Sequence, residues 1–303
     1  MNLDRLRIFQ VVCEERSVSR AAVRLFRTQP AISMQLASLE AEAGTRLLTR
    51  SSRGVSPSPS GQRLLACAAE VFRAHERLRE AWAGADLTGD LHVAASDTVA
   101  RHFLPPILRE LVRRRPGVRL HLVQSATPES QNRLSGGEAD VAFMLRPVAD
   151  PRLGMETVLR YRHVAAYARP RGRRISSAAV APAELARGPL VLLPRGTQTR
   201  HLVDEAFRAK GIVPGRILEV GSVSIQKEMV RCGLGIGILP SYAVERRDRL
   251  RARPIADASV REIAVAWRAD LPLTRTAEAF LALVRAEAAR RGRHLMGAGP
   301  RSA

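Results

Sequence analysis

Apolar residues recur along the chain with two different periods, and the change from one to the other divides it. Over residues 3–54 the spacing is helical. Leu3, Leu6, Phe9, Val12 and Cys13 share one face and predict a first helix. Ala21, Ala22 and Leu25 predict a second, whose small residues allow close packing on its neighbours. Thr28 is placed to cap a third, with Pro30 in its first turn, where a missing N–H costs little. Ile32, Leu36 and Leu39 fall at i, i+4 and i+7 and turn inward, leaving Gln29, Ser33, Met34 and Ser38 on the other side. Gly44 stands where such a helix would close, and Arg46, Arg50, Arg53 and Gly54 follow in a basic loop.

Ser58 and Pro59 open a long helix reaching about Gly84. Its residues Leu64, Ala68, Val71, His75, Leu78 and Trp82 step alternately by four and three, a coiled-coil seam with His75 as the one polar member. One helix cannot bury such a seam alone. It predicts pairing with a second chain, or packing on the chain's own domains. Residues 85–89 read as a hinge.

From Leu91 the pattern becomes α/β. Strands are expected at 91–95, 118–123, 141–144, 190–193, 217–220, 235–239 and 262–267. Helices are expected at 99–115, 128–136, 200–210, 224–232, 241–246 and 274–291. Alternating strands and helices predict parallel sheets with crossover helices, in two rounds, the second starting near Ala165. The fold class is α+β: a winged helix-turn-helix, a linker helix and a two-lobed α/β domain. The expected division is 1–60, 61–88 and 89–295, followed by a loose tail at 296–303. Lobe one takes about 90–164 and 268–292, and lobe two about 165–267.

A short helix followed closely by a capped second helix is the geometry of a helix-turn-helix DNA reader. Short polar side chains near a helix N-terminus can reach base edges and phosphates in the major groove. Residues 3–61 closely resemble the N-terminal domain of LysR-type transcriptional regulators. The match runs without gaps through Leu6, Phe9, Ala21, Ala22, Leu25, Gln29, Pro30, Ala31, Ser33, Leu39, Glu40, Gly44, Leu47, Arg50, Ser60 and Gly61. The resemblance implies that Gln29, Pro30 and Ser33 approach DNA and that Arg50 and Arg53 support the wing; Thr28 and Met34, beside them on the same helix end, complete the candidate DNA-binding set. Two positions depart from the family pattern. Met34 stands where a basic or amide side chain is usual, and Leu48 replaces the usual aromatic. Met34 cannot make a bidentate bond to guanine; it touches a thymine methyl or nothing.

The second half resembles the effector-binding domain of the same family and the periplasmic binding proteins that share its architecture. Ser96, Leu104, Pro105, residues 137–140 and residues 230–240 carry this weaker likeness. Ligands in open α/β sheets bind beyond the carboxyl ends of strands, where helix N-termini point. That places Ser96 and Thr98 in lobe one and Thr197 and Thr199 in lobe two, with Arg146 and Ser222 as weaker candidates. Each serine or threonine is equally suited to be a plain N-cap. Hydroxyls and free helix N–H groups suit a small carboxylate or oxyanion as effector.

Composition changes the picture less than its +20 net charge suggests. Residues 1–90 hold 13 basic and 10 acidic side chains, so most of the excess lies outside the reader. All basic residues except Lys210 and Lys227 are arginine. The three cysteines, Cys13, Cys67 and Cys232, are far apart and suit neither a disulfide framework nor zinc. No apolar run is long enough for a membrane span and none follows a basic N-terminus, so a cytoplasmic protein is expected. The segment 233–237, Gly-Leu-Gly-Ile-Gly, follows a helix and opens a strand, the reverse of a dinucleotide loop. Ser224 and Lys227 match a β-lactamase spacing without its partner motifs. No catalytic constellation, metal site or cofactor is expected. The partners implied are promoter DNA, a small-molecule effector, a second chain as homodimer or homotetramer, and RNA polymerase. The alternative is a two-lobed small-molecule binding protein without a DNA role.

Overall fold

A computed structural model describes residues 2–51, 54–82, 89–169 and 178–297. The chain opens with three helices, α1 (Leu3–Glu15), α2 (Val18–Arg24) and α3 (Gln29–Ala43). Their core buries Leu6, Ile8, Phe9, Val12, Ala21, Ala22, Ile32 and Leu39. Ser17 caps α2 and Thr28 caps α3, each hydroxyl accepting a backbone N–H. Gly44 ends α3 at φ 64°, a conformation glycine adopts without strain. Strands β1 (Leu48–Ser51) and β2 (Gly54–Pro57) form an antiparallel wing. Ser58 then caps α4 (Pro59–Trp82), accepting from the Gly61 N–H at 3.0 Å. A Cβ at position 61 would overlap the Leu47 carbonyl, so glycine there lets α4 press onto the wing.

The seam of α4 is divided. Leu64 and Ala68 pack onto the three-helix core of their own chain, whereas Val71, His75 and Leu78 are exposed. The Trp82 side chain and the expected hinge up to residue 88 lie outside the described residues, as does the tail beyond 297.

Lobe one is built from β3 (Gly89–Ala95), α5 (Asp97–His102), α6 (Leu104–Arg114), β4 (Val118–Gln124), α7 (Thr127–Ser135), β5 (Val141–Leu145) and β6 (Leu153–Tyr161). The chain crosses to lobe two at β7 (His163–Ala168). There follow α8 (Pro182–Ala186), β8 (Leu190–Leu192), α9 (Gln198–Arg208), β9 (Ile217–Glu219), α10 (Val223–Arg231), β10 (Ile236–Pro240) and β11 (Leu250–Pro254). Then β12 (Arg261–Arg268) returns to lobe one, and α11 (Arg275–Gly297) closes the domain across it. The lobe-one sheet runs β4-β3-β5-β12-β6 and the lobe-two sheet β11-β7-β10-β8-β9.

Four expectations are corrected. The sheets are mixed, because the crossing strands run against their neighbours: β12 is antiparallel to β5 and β6, and β7 to β10 and β11. The second lobe stops before 261, since β12 is inserted between β5 and β6 of lobe one. The helix expected over 99–115 is two. Pro105 and Pro106 offer no N–H to continue it, and the freed His102 carbonyl accepts from Arg291 Nη2 at 2.7 Å. Where a helix is expected over 241–246 there is a 3₁₀ turn at Ser241–Ala243, followed by a second at Arg246–Asp248 that opens on a reciprocal cap between Glu245 and Asp248.

Candidate functional site

The reader face is built on α3. Its inward stripe, Ile32, Leu36 and Leu39, is buried and so fixes which side turns outward. Thr28, Gln29, Pro30 and Met34 are exposed there and Ser33 is half-buried. Met34 has 71% of its surface free, in keeping with a contact surface rather than a core. Gln29 is held at the turn by the Ser19 hydroxyl, which donates to its Oε1 at 2.9 Å. Arg50 is exposed on β1, opposite Val55 on β2. Arg53 lies outside the described residues.

The sequence reading missed what aligns the wing with the reader. Glu40 Oε1 accepts the N–H groups of Leu47 at 2.7 Å and Leu48 at 3.1 Å. A single carboxylate thus takes two backbone donors and ties β1 to the last turn of α3. A glutamate four residues before the helix-closing glycine was the available signal.

The second site is a cleft of about 1040 Å³ between the lobes. It opens where the parallel strands end. Ser96, Asp97 and Thr98 follow β3, Thr127 and Glu129 follow β4, Thr197 and Thr199 follow β8, and Ser222 follows β9. Ser96, Thr98, Thr197, Thr199 and Ser222 are therefore brought together. Three of their hydroxyls also serve as caps. Ser96 accepts from Val99 N–H, Ser222 from Ile225 N–H, and Thr197 both accepts from Arg200 N–H and donates to the Pro194 carbonyl at 2.9 Å. The Thr197 hydroxyl thus has its proton committed, while the hydroxyls of Thr98 and Thr199 make no hydrogen bond among the described residues.

Arg146 is not in the cleft wall. Its backbone N–H stays in register with β12, bonding the Glu262 carbonyl at 2.9 Å, and its guanidinium turns to Thr157 Oγ1 at 3.4 Å. The wall here is supplied by Phe143, Met144 and Leu145 of β5 and by Pro147, Val148 and Ala149 after it. Among the described residues, the charged side chains lining the cleft are Asp97 and Glu129, with His201 nearby and no lysine or arginine. Sequence reasoning also missed the aromatic floor. Tyr161 and Tyr242 meet edge to face with ring centroids 5.0 Å apart, although far apart in sequence. Burial pushes the Tyr161 hydroxyl up to about 12, so it is neutral and available as a donor.

No metal-ligating cluster occurs among the described residues, and no helix among them is long and apolar enough to cross a membrane.

Comparison with known proteins finds two family models along the chain. Residues 3–62 match the bacterial regulatory helix-turn-helix protein of the lysR family, and residues 84–289 match the LysR substrate binding domain. The chain is 28% identical over 289 residues to the uncharacterised HTH-type transcriptional regulator YfeR of Shigella flexneri, covering 94% of this chain and 93% of that one. It is 27% identical over 295 residues to the HTH-type transcriptional regulator GltR of Bacillus subtilis, covering 94% and 96%. Among solved structures it resembles a full-length OxyR variant from Pseudomonas aeruginosa. That match has TM-score 0.74 and 26% identity, and covers 94% of this chain and 95% of that one.

Proposed function

The chain belongs to the LysR family of DNA-binding transcriptional regulators, and from that membership we propose how its parts divide the work. Residues 1–60 read DNA, residues 61–88 pair two chains, and the domain from 89 to 295 senses a small molecule. Two copies of α4 meet through the exposed stretch Val71, His75 and Leu78, as a homodimer that can double to a homotetramer. In each copy the N-terminal end of α3 enters the major groove. There Thr28, Gln29, Pro30, Ser33 and Met34 face the duplex, while Arg50 and Arg53 hold its backbone.

The observation that carries this reading is the exposed α3 face beside exposed Arg50 on a wing tied to α3 by Glu40. Within the family the work is regulation rather than catalysis. RNA polymerase is the recipient of the output and the cytoplasm the place of action.

The effector sits in the interlobe cleft. Thr98, Thr199 and the helix N–H groups behind Ser96 and Ser222 favour a small carboxylate or oxyanion. With two carboxylates, Asp97 and Glu129, and no lysine or arginine among the described residues of the wall, the effector that fits best also carries an amine. Binding shifts the lobes, and with them the spacing of the two readers, through unequal affinity for two states.

The test is a gel-shift series on a fragment upstream of the gene at low salt. Parent protein is expected to retard it and Arg50→Ala to weaken the complex. Failure of the parent to bind any such fragment would favour a two-lobed binding protein without a DNA role. For the cleft, a thermal-shift screen of small carboxylates, oxyanions and amino acids should find a stabiliser that works less well on Thr98→Ala and Thr199→Ala. Equal stabilisation of parent and variants would remove those residues from the site.

A further inference from the structure

We propose that the reader helix recognises thymine methyl groups, with Met34 as the principal contact. This rests on the reading that α3 enters the major groove, and goes beyond it by naming what is read there.

Residues 29–43 contain no lysine or arginine, so nothing on α3 can make the forked contact to guanine O6 and N7. Its glutamine and glutamate side chains are each engaged within the protein. Gln29 Oε1 accepts from Ser19, and Gln35 Oε1 accepts from Arg5 Nε at 3.1 Å. Glu40 accepts from the wing backbone, and Glu42 pairs with Arg5 at 3.3 Å. A bidentate contact to adenine needs an amide with its acceptor and donor both turned to the base, and both glutamines turn their oxygen to a neighbour within the protein instead.

Between Gln29 and Glu42, the exposed residues of α3 are all apolar. Pro30, Met34 and Ala37 lie at i, i+4 and i+7 and all are exposed, on the side opposite Ile32, Leu36 and Leu39. The methionine thioether is long, unbranched and polarisable, and adapts to a small apolar projection. In the major groove the apolar group offered by a base pair is the thymine C5 methyl.

The charge around this face fits a duplex. Arg46 and Arg50 are exposed at the base and first strand of the wing, without an ion-pair partner among the described residues. An apolar strip on α3, with two exposed guanidinium groups on the wing segment that follows it, fits a groove floor carrying methyl groups beside a phosphate backbone.

The experiment selects tight binders from a random duplex library with the full-length protein. Each thymine of the selected site is then replaced in turn by deoxyuridine, which removes the methyl and nothing else. Burying one methyl-sized group corresponds to roughly fourfold in affinity. At least one thymine per half-site is expected to show that loss with the parent and none with Met34→Ala, an exposed change that leaves the core intact. Met34→Arg is expected to move the selection toward guanine at the same position. The proposal is overturned if every replacement is neutral in the parent, or if the loss persists unchanged in Met34→Ala. Recovery of no preferred sequence at all would overturn the major-groove reading itself.

Discussion

His102 and Glu245 meet across the two lobes, with 2.6 Å between Nδ1 and Oε1. His102 ends α5, whose first turn lines the effector cleft, and Glu245 lies between the 3₁₀ turns that follow β10. Burial lowers the His102 pKa, outweighing the hydrogen bond to Glu245 that would raise it, so the ring is neutral at pH 7 and donates from Nδ1. Glu245→Ala leaves that buried donor without an acceptor. The expected loss in unfolding free energy of the effector domain is about 1–3 kcal/mol. In the Glu245→Ala background, His102→Ala should cost clearly less than it does alone. Strictly additive losses in a double-mutant cycle would show that the contact contributes nothing.

The Glu40 carboxylate organises the reader from within, so its removal should be felt in DNA binding more than in folding. Glu40→Ala frees the Leu47 and Leu48 N–H groups at the base of the wing. Hydrogen bonds to a charged group are worth about 1.5–3 kcal/mol each. Loss of part of that order in the wing should weaken DNA binding on the order of tenfold. Glu40→Gln, which keeps one acceptor oxygen, should fall between. Fluorescence anisotropy on one duplex measures all three proteins. Unchanged affinity in Glu40→Ala would mean that the wing holds its place without this anchor.

These contacts show which parts of the molecule the sequence could reveal. Caps and stripes were legible because they act locally. Thr28 and Ser58 cap the helices that follow them, and Ile32, Leu36 and Leu39 are buried as their spacing requires. The strand ends and helix starts around Ser96, Thr197 and Ser222 were legible for the same reason. What depends on distant partners was not. The strand Leu153–Tyr161 carries Glu156 and Arg160, whose partners Arg285 and Glu262 lie more than 100 residues away. Tyr161 meets Tyr242 only because the chain crosses between lobes, and Arg146 turns from the cleft because β12 holds its backbone in register. The split of α4's seam depended on the shape of the three-helix core, which periodicity does not encode.

Arg50 tests whether the wing acts through charge. It is exposed, and no ion pair within the described residues competes for it. If it neutralises one phosphate, Arg50→Ala should weaken binding to every duplex by a similar factor. It should also reduce the slope of log K against log salt by about one per protomer. Binding measured from low to moderate salt on a selected and a scrambled duplex reads both. A loss confined to the selected duplex would instead make Arg50 a base reader.

His163 should govern the acid stability of the effector domain. It begins β7 at the crossing between lobes, buried against Tyr161 at 5.4 Å between ring centroids. Burial, and secondarily the Arg261 charge, push its pKa from 6.5 down to about 4. The folded protein therefore refuses a proton that the unfolded chain accepts below about pH 6.5. Stability is expected to fall as pH drops from 6.5 to 4 by up to about 1.4 kcal/mol per pH unit, and no further on this account below 4. Paired carboxylates also lose stability in acid, but they are common to parent and variant. His163→Phe keeps the edge-to-face contact and removes the titration. Its loss between pH 6.5 and 4.5 should be smaller by about 2 kcal/mol, read from urea unfolding followed by tryptophan fluorescence. Parallel stability curves for the two proteins would show that His163 takes up its proton in the folded state as readily as in the unfolded one.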